Sequence, residues 1–206
     1  MYSPSAFEVR DAAEIQAFIR SHGFGIVVSL GAEGIEETHT PMFLSDDGRT
    51  LFGHIAKANG QWKGWATQPR VKMLFHGPHA YVSPRYYASS FNVPTWNYTA
   101  VSVAGTISVI GDLAGQKEFL HRLVGQYEGG CPDSWTLDEA DGRMMRLFDA
   151  IVCFRVAVEK VEAKFKLNQN KSPEDQEAVI ARLRQTGLAM DADVAALMEK
   201  NRLGAG

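Results

Sequence analysis

The segment from Pro94 to Gly105, P-T-W-N-Y-T-A-V-S-V-A-G, places aromatic and amide side chains directly before an alternating strand pattern. Trp96 and Tyr98 offer flat apolar faces with a polar edge, and the amide of Asn97 both donates and accepts hydrogen bonds. This chemistry suits a planar heterocycle with a mixed hydrogen-bonding edge. The alternative is that the two aromatic residues only pack in a core or an interface, which is the commoner role of such positions.

Two lysine-rich segments have the chemistry to bind an anion. Lys164 and Lys166 alternate along a strand pattern, so they are predicted to face the same way, close to the amides of residues 168–170. Lys57 and Lys63 lie between a strand and a short helix, where free backbone N–H groups favour an anion. The alternative for the first segment is a set of solvated surface lysines.

The histidines give weaker signals. His76 and His79 in H-G-P-H are interrupted by Pro78 and have no nearby acidic or thiol partner, so we expect no metal site. His39 and His54 lie on successive strands and are expected to face each other across the sheet. They are either site residues or hydrogen-bonded structural histidines. Motifs such as G-x-S-x-G, the P-loop, G-x-G-x-x-G and H-E-x-x-H are absent from the sequence, which therefore identifies no catalytic residue.

Composition limits the remaining possibilities. The chain has 206 residues, of which 45% are hydrophobic, and a formal net charge of −3, so it lacks the strong positive charge of most nucleic-acid-binding proteins. Cys131 and Cys153 form no C-x-x-C pattern and the N-terminus has no apolar signal core, so we expect a cytoplasmic protein with reduced thiols. No run approaches the roughly 18 apolar residues of a membrane span, so membrane insertion is not expected.

The pattern of apolar residues predicts a fold of class α+β. Helices are expected after Asp11, after Asp112 and after Ser172-Pro173, and a proline-rich ordered loop is expected from His76 to Thr95. Gly105 is expected at a bulge or a close backbone approach. About six strands joined by turns favour a small antiparallel barrel with peripheral helices; they cover residues 25–30, 35–44, 50–55, 71–75, 99–110 and 151–161. We predict a barrel domain over residues 1–167 and a helical C-terminal extension over residues 168–206.

Six ordered motifs carry a family resemblance: M-Y-S-P-S-A-F, T-H-T-P, G-H-I-A-K-A-N-G-Q-W-K, F-H-G-P-H-A-Y-V-S-P, V-P-T-W-N-Y and K-F-K-L-N-Q-N. With these motifs the sequence resembles the PaiB-type FMN-binding negative transcriptional regulators over almost its whole length. The resemblance implies a split β-barrel related to the pyridoxamine-phosphate oxidases. It also implies a homodimer with FMN at the subunit interface.

The same resemblance assigns roles to residues. The strand with His39, Thr40 and Pro41 is expected along the flavin, and the segment with His54, Lys57, Asn59 and Lys63 is expected near its phosphate. Trp96, Asn97 and Tyr98 are expected to approach the isoalloxazine from either subunit, and Lys166, Gln169 and Asn170 complete the set. Gly60 and Asn168 stand where the family pattern suggests proline and serine, and they leave the charged and aromatic positions intact.

Three functions remain open at this point. The resemblance favours a negative transcriptional regulator, but the sequence shows no helix-turn-helix, so DNA binding is expected to be weak or to use basic residues around Arg182 and Arg184. A flavin-dependent oxidoreductase, either an FMN reductase or an oxidase, is the first alternative. A protein that binds haem or another planar ligand through His39, His54 or His79 is the second.

Overall fold

The computed structural model describes residues 1–130, 133–138, 142–143 and 148–203, so Cys131 lies outside the described residues. Within these ranges the chain combines strands and helices, as the α+β class predicts. The strands are β1 (Glu8–Val9), β2 (Phe24–Gly31), β3 (Gly34–Leu44), β4 (Thr50–Ala56), β5 (Arg70–Val82), β6 (Thr95–Val109) and β7 (Ile151–Lys166). The helices are α1 (Ala12–Ser21), α2 (Leu113–Glu128), α3 (Pro173–Gln185) and α4 (Ala189–Leu203).

The strands form one sheet in the order β1-β7-β4-β3-β2-β5-β6, and β6 also pairs with β7. Because of this additional pairing, the six strands β2 to β7 form a closed circuit of hydrogen-bonded neighbours. The two-residue strand β1 joins β7 as a seventh strand, with Glu8 opposite Lys164. The predicted six-stranded antiparallel barrel is thus confirmed, with one short strand added.

The β2–β3 hairpin follows from its sequence. The run I-V-V in β2 favours a strand, and the turn has Gly34 at a φ of 130°, a conformation that suits glycine. The antiparallel register sets Val27 opposite Thr38 and Ser29 opposite Glu36. The predicted hairpin is confirmed.

The strands β5, β6 and β7 each extend several residues beyond the predicted ranges. The predicted loop from His76 to Thr95 is wrong in its first part. β5 continues to Val82, although the pairs it forms with β2 reach only to Leu74. Proline is tolerated in a strand where its missing N–H is not needed, which explains Pro78. β6 begins at Thr95, so the W-N-Y motif lies inside a strand and not in a loop before it.

The chain divides into two compact units. The central unit comprises Ile19–Phe75 and Ser102–Val161, and the terminal unit comprises Met1–Phe18, His76–Val101 and the chain from Glu162 onward. The boundary between residues 167 and 168 stays a prediction. The helical character predicted for the last part of the chain is confirmed by α3 and α4.

Three helices begin at the positions that the sequence predicts. The first is α1, where the Asp11 side chain accepts from the N–H of Glu14 at 2.8 Å. The side chain of Asp112 accepts a hydrogen bond from the backbone N–H of Gly115 at 2.7 Å, and α2 starts there. Ser172 accepts in the same way from Asp175 at 3.2 Å, and Pro173 occupies the first turn of α3. Among the described helices, none has both the length and the apolar character needed to cross a lipid bilayer.

The central unit has an aromatic core that includes a cysteine. Trp65 and Phe154 are almost fully buried and meet edge to face, with ring centroids 5.2 Å apart. Cys153 is buried in a neighbouring cluster with Phe43 and Phe119, and this burial raises the pKa of its thiol to about 12. A thiol in this environment behaves as a small hydrophobic side chain.

Gly105 in β6 lies where a side chain has no room. A Cβ atom at this position would overlap the backbone carbonyl of Ala157 and the side chain of Val156. The predicted close backbone approach is therefore confirmed, and it explains why a glycine interrupts this strand.

We expect Gly105→Ala to lower the free energy of unfolding by about 2 kcal/mol, because the new methyl group must push two strands apart. Chemical denaturation followed by circular dichroism measures the change. Gly111→Ala is the matched control, because a Cβ atom there meets no atom within 4 Å in the described structure. Equal stability of the two variants would contradict the steric explanation.

Candidate functional site

The segment His39–Pro41 of β3 carries one exposed and one buried polar side chain. The His39 ring is exposed and stacks beside Phe24, with ring centroids 6.3 Å apart. Thr40 is buried, and its hydroxyl donates to the backbone carbonyl of His54. Pro41 is half-buried next to them. His39 is therefore the most exposed residue of this segment, and Pro41 is partly accessible.

His54 at the end of β4 has a partly apolar environment. Its ring meets Phe119 edge to face at 5.8 Å, and its Nδ1 atom is buried without a hydrogen-bond partner in the described structure. Burial lowers the pKa of this imidazole, so the neutral form is favoured. Met42 lies opposite Gly53, so His39 is two residues away from the position opposite His54, and the predicted direct facing of the two histidines is wrong.

The chain after β4 is fixed by a polar network. Asn59 caps the short 3-10 turn Gly60–Gly64 by accepting from the N–H of Gln61 at 3.0 Å, and its own Nδ2 donates to Thr38 at 2.7 Å. The Thr38 hydroxyl donates in turn to Oε1 of Gln61 at 2.5 Å. These bonds hold Asn59 against β3, and the residue is half-buried.

The two lysines of this segment lie on either side of the network. Lys57 and Lys63 are exposed, and neither has an ion-pair partner among the described residues. The backbone N–H of Lys57 donates to Ala150, and its carbonyl accepts from the Trp62 indole at 3.0 Å. Lys63 lines a cavity of about 460 Å³ whose other walls are Trp62, Trp65, Ala66, Pro69, Ile107, Ser108 and Val109.

In the terminal unit, the W-N-Y motif is divided between two faces of β6. Trp96 is 54% exposed, and its ring lies 5.9 Å from that of Tyr81. Asn97 is fully buried, with its Nδ2 donating to the sulfur of Met198 at 3.3 Å and its Oδ1 unpartnered in the described structure. Because side chains alternate along a strand, the three residues do not form the single cluster that the sequence suggests.

Lys164 and Lys166 are on the same face of β7, as predicted. Lys164 is buried, and its ammonium group lies 5.4 Å from the centre of the Tyr98 ring. Lys166 donates to the Thr95 hydroxyl. Partial burial lowers the pKa of Lys166, and the positive charge of Lys164 lowers it further by a smaller amount.

The two amides after β7 differ in their roles. Gln169 donates to the carbonyl of Phe165 at 2.5 Å and accepts from the N–H of Leu167 at 2.7 Å, so its amide folds back on the strand end. Asn170 is exposed. Between them and β7, Asn168 has a φ of 62°, a left-handed conformation that asparagine tolerates better than most residues.

The predicted site residues therefore form two groups. The central unit brings together His39, Thr40, Pro41, His54, Lys57, Asn59 and Lys63, and the terminal unit holds Trp96, Asn97, Tyr98, Lys166, Gln169 and Asn170. Sequence reasoning missed Gln61 and Thr38, although both stand in the quoted motifs, because neither is charged or aromatic. No cluster of three or more His, Cys, Asp or Glu side chains suited to a metal ion occurs within the described part of the chain.

Comparison with known proteins identifies the family. The family model described as "Putative FMN-binding domain" matches residues 1–160. The chain belongs to this FMN-binding domain family. The Bacillus subtilis "Protease synthase and sporulation protein PAI 2" is 34% identical over 204 residues, which cover 97% of each chain. The resemblance stated from the motifs is thus confirmed.

Solved structures support the fold of this FMN-binding domain. A flavocytochrome from Azotobacter vinelandii aligns with a TM-score of 0.62 and 17% identity, covering 84% of this chain and 74% of that chain. An FAD and haem binding protein from Mycobacterium smegmatis aligns with a TM-score of 0.62 and 14% identity, covering 83% of this chain and 78% of that chain. At such low identity these proteins share the fold alone, and they confirm the predicted split barrel.

We expect the folded protein to lose stability as the pH falls through the ordinary histidine range near 6.5, because His54 has a lowered pKa in the fold. In this pH range the unfolded chain binds a proton at His54, whereas the folded chain keeps the imidazole neutral. Acid therefore favours the unfolded chain. His54→Gln should flatten this part of the pH dependence, as measured by urea denaturation between pH 7.5 and about 5. The exposed His22→Gln variant is the control, and the prediction is wrong if both variants keep the wild-type slope.

Proposed function

We propose that the protein binds FMN, and that the chain from Lys57 to Lys63 holds its phosphate. The observation that carries this proposal is the segment after β4: two exposed lysines flank a turn that hydrogen bonds fix against β3. A phosphate dianion favours such a site, since a charge-assisted hydrogen bond is worth about 1.5–3 kcal/mol. The family match supports a flavin as the ligand.

The ring of the flavin has its proposed place along β3. His39 is the exposed polar side chain there, Pro41 presents an apolar surface, and Thr40 braces the strand through its bond to His54. Because these residues belong to the same unit as the phosphate segment, both ends of the cofactor have candidate contacts within that unit.

A second set of flavin contacts is proposed in the terminal unit. Trp96 offers an exposed indole face, and Lys166 offers an ammonium group that is partly desolvated. Tyr98, Gln169 and Asn170 are proposed around them, and the buried Asn97 would support β6 from the opposite face. We also propose a homodimer, and sedimentation of the apo and flavin-loaded protein measures this state directly.

We expect Lys57→Ala and Lys63→Ala to weaken FMN binding about tenfold while riboflavin binding changes little, because only FMN carries the phosphate. Quenching of flavin fluorescence on titration with protein measures both dissociation constants. Lys72→Ala, an exposed lysine on β5, is the control and should bind both flavins normally. Equal losses for FMN and riboflavin would contradict a phosphate contact.

The proposed biological role is negative transcriptional regulation with flavin as a sensed ligand. The support is the similarity to the Bacillus subtilis sporulation protein over nearly the whole chain. The basic residues around α3 give limited charge for DNA, because Arg184 forms an ion pair with Glu199 at 2.6 Å and Arg182 donates to Gln185. Regulation without strong autonomous DNA binding fits this charge distribution.

We expect any DNA complex to dissociate steeply between low and physiological salt, because its affinity would come from a few lysine and arginine contacts to phosphate. Electrophoretic mobility shifts at rising salt, with promoter and scrambled DNA, measure this dependence. A promoter-specific complex that survives physiological salt would contradict the prediction. Such a complex would favour direct repression.

An oxidoreductase is the second candidate function. Relatives in fold include a flavocytochrome and a protein that binds FAD and haem, so a redox-active flavin or a haem is compatible with this architecture. The exposed His39 is the candidate side chain of the central unit for contact with either group. A visible absorption spectrum, recorded before and after addition of a nicotinamide donor, separates bound FMN, reducible flavin and haem.

A further inference from the structure

Gln61 is a buried polar residue that the proposed flavin contacts do not use. Its side chain is 3% exposed and lies against the β2–β3 hairpin. Nε2 lies within hydrogen-bonding distance of three acceptors: the carbonyl of Val27 at 3.2 Å, the hydroxyl of Ser29 at 2.9 Å and the carbonyl of Glu36 at 3.1 Å. Oε1 accepts from Thr38 at 2.5 Å. Both ends of the amide are therefore saturated.

The positions of these partners explain why a glutamine is suited to this place. Val27 and Ser29 belong to β2, and Glu36 and Thr38 are the residues opposite them in β3. The amide thus bridges two registered pairs of the hairpin that are separated by the pair of Val28 and Glu37. A carboxylate would face three oxygen acceptors and repel them, and a hydrocarbon side chain would leave the acceptors without this donor.

The bridge acts on the chain between the two lysines. Gln61 is the second residue of the 3-10 turn, and Lys57 and Lys63 lie four residues before it and two residues after it. The start of the segment is fixed by the backbone hydrogen bond from Lys57 to Ala150. The turn itself is joined to the hairpin through the side chains of Asn59 and Gln61. Without the Gln61 bonds, binding a phosphate would also require ordering of this turn, which costs affinity.

We propose that Gln61 is a positioning residue that fixes the Lys57–Lys63 segment for the flavin phosphate and thereby selects FMN over riboflavin. This inference rests on the proposed function of the segment. Gln61 acts through the lysines and touches no part of the ligand. Its removal should therefore affect the phosphate and leave the ring contacts along β3 nearly unchanged.

The test compares FMN and riboflavin binding in Gln61→Leu and in the wild-type protein, by quenching of flavin fluorescence. We expect about a tenfold loss of FMN affinity and a change within twofold for riboflavin. Gln68→Leu makes the same chemical change at an exposed glutamine nearby and should change neither affinity. A purely structural role would lower both affinities by the same factor.

Thr38→Val is the second variant, because it removes the hydroxyl that joins Gln61 to Asn59 while nearly keeping the side-chain volume. It should give a smaller loss in the same direction, and it decides the question if Gln61→Leu does not fold. Unchanged FMN-to-riboflavin selectivity in the folded variants would overturn the inference about Gln61 but would leave the proposed phosphate site intact. A wild-type protein that binds both flavins equally would instead overturn the proposed phosphate site itself.

Discussion

Pairing of β6 with β7 gives every strand from β2 to β7 two hydrogen-bonded neighbours. In such a circuit each strand has a neighbour on both sides over part of its length, which shortens the free edge that it exposes. Closure also fixes which residues face the interior, because a shift of one residue would turn every side chain to the other face. The tight fit at Gly105 is one result, since two strands approach there more closely than a side chain permits.

The same constraint decides how polar residues of the motifs are distributed. On β6, alternation buries Asn97 and exposes Trp96, and on β7 it brings Lys164 and Lys166 to one face. The ammonium group of the buried Lys164 lies over the rings of Tyr98 and Tyr2, and it donates to the backbone carbonyl of Tyr2. Proximity in sequence therefore does not produce a common site when the residues belong to a pleated strand.

Local signals in the sequence were sufficient for several elements. The β2–β3 hairpin, the start of α2 at Asp112 and the start of α3 at Ser172-Pro173 depend on turn and cap chemistry that neighbouring residues contain. The full extent of β5 and β6 was not predictable in this way. The prolines Pro78, Pro84 and Pro94 lowered the local preference for a strand between His76 and Thr95. Pairing with neighbouring strands overrode that preference in the last part of β5 and at the start of β6.

Charge or aromatic character led the sequence analysis to Lys57, Lys63 and Trp96. All three are exposed in the structure, and their contact with a ligand stays a prediction. Gln61 could not be found from sequence, because three of its partners are carbonyls or a hydroxyl on strands that lie more than twenty residues away. Hydrogen bonds to backbone atoms leave no signature in the identity of the partner residue.

The buried environment of Cys153 has a consequence for how the protein can respond to oxidants. Oxidation and alkylation of cysteine proceed through the thiolate, and a thiol with a pKa of about 12 is almost entirely protonated at neutral pH. Peroxide or a disulfide reagent therefore has neither access to this sulfur nor a nucleophile to react with. We therefore expect Cys153 to stay reduced in the presence of oxidants while the central unit is folded.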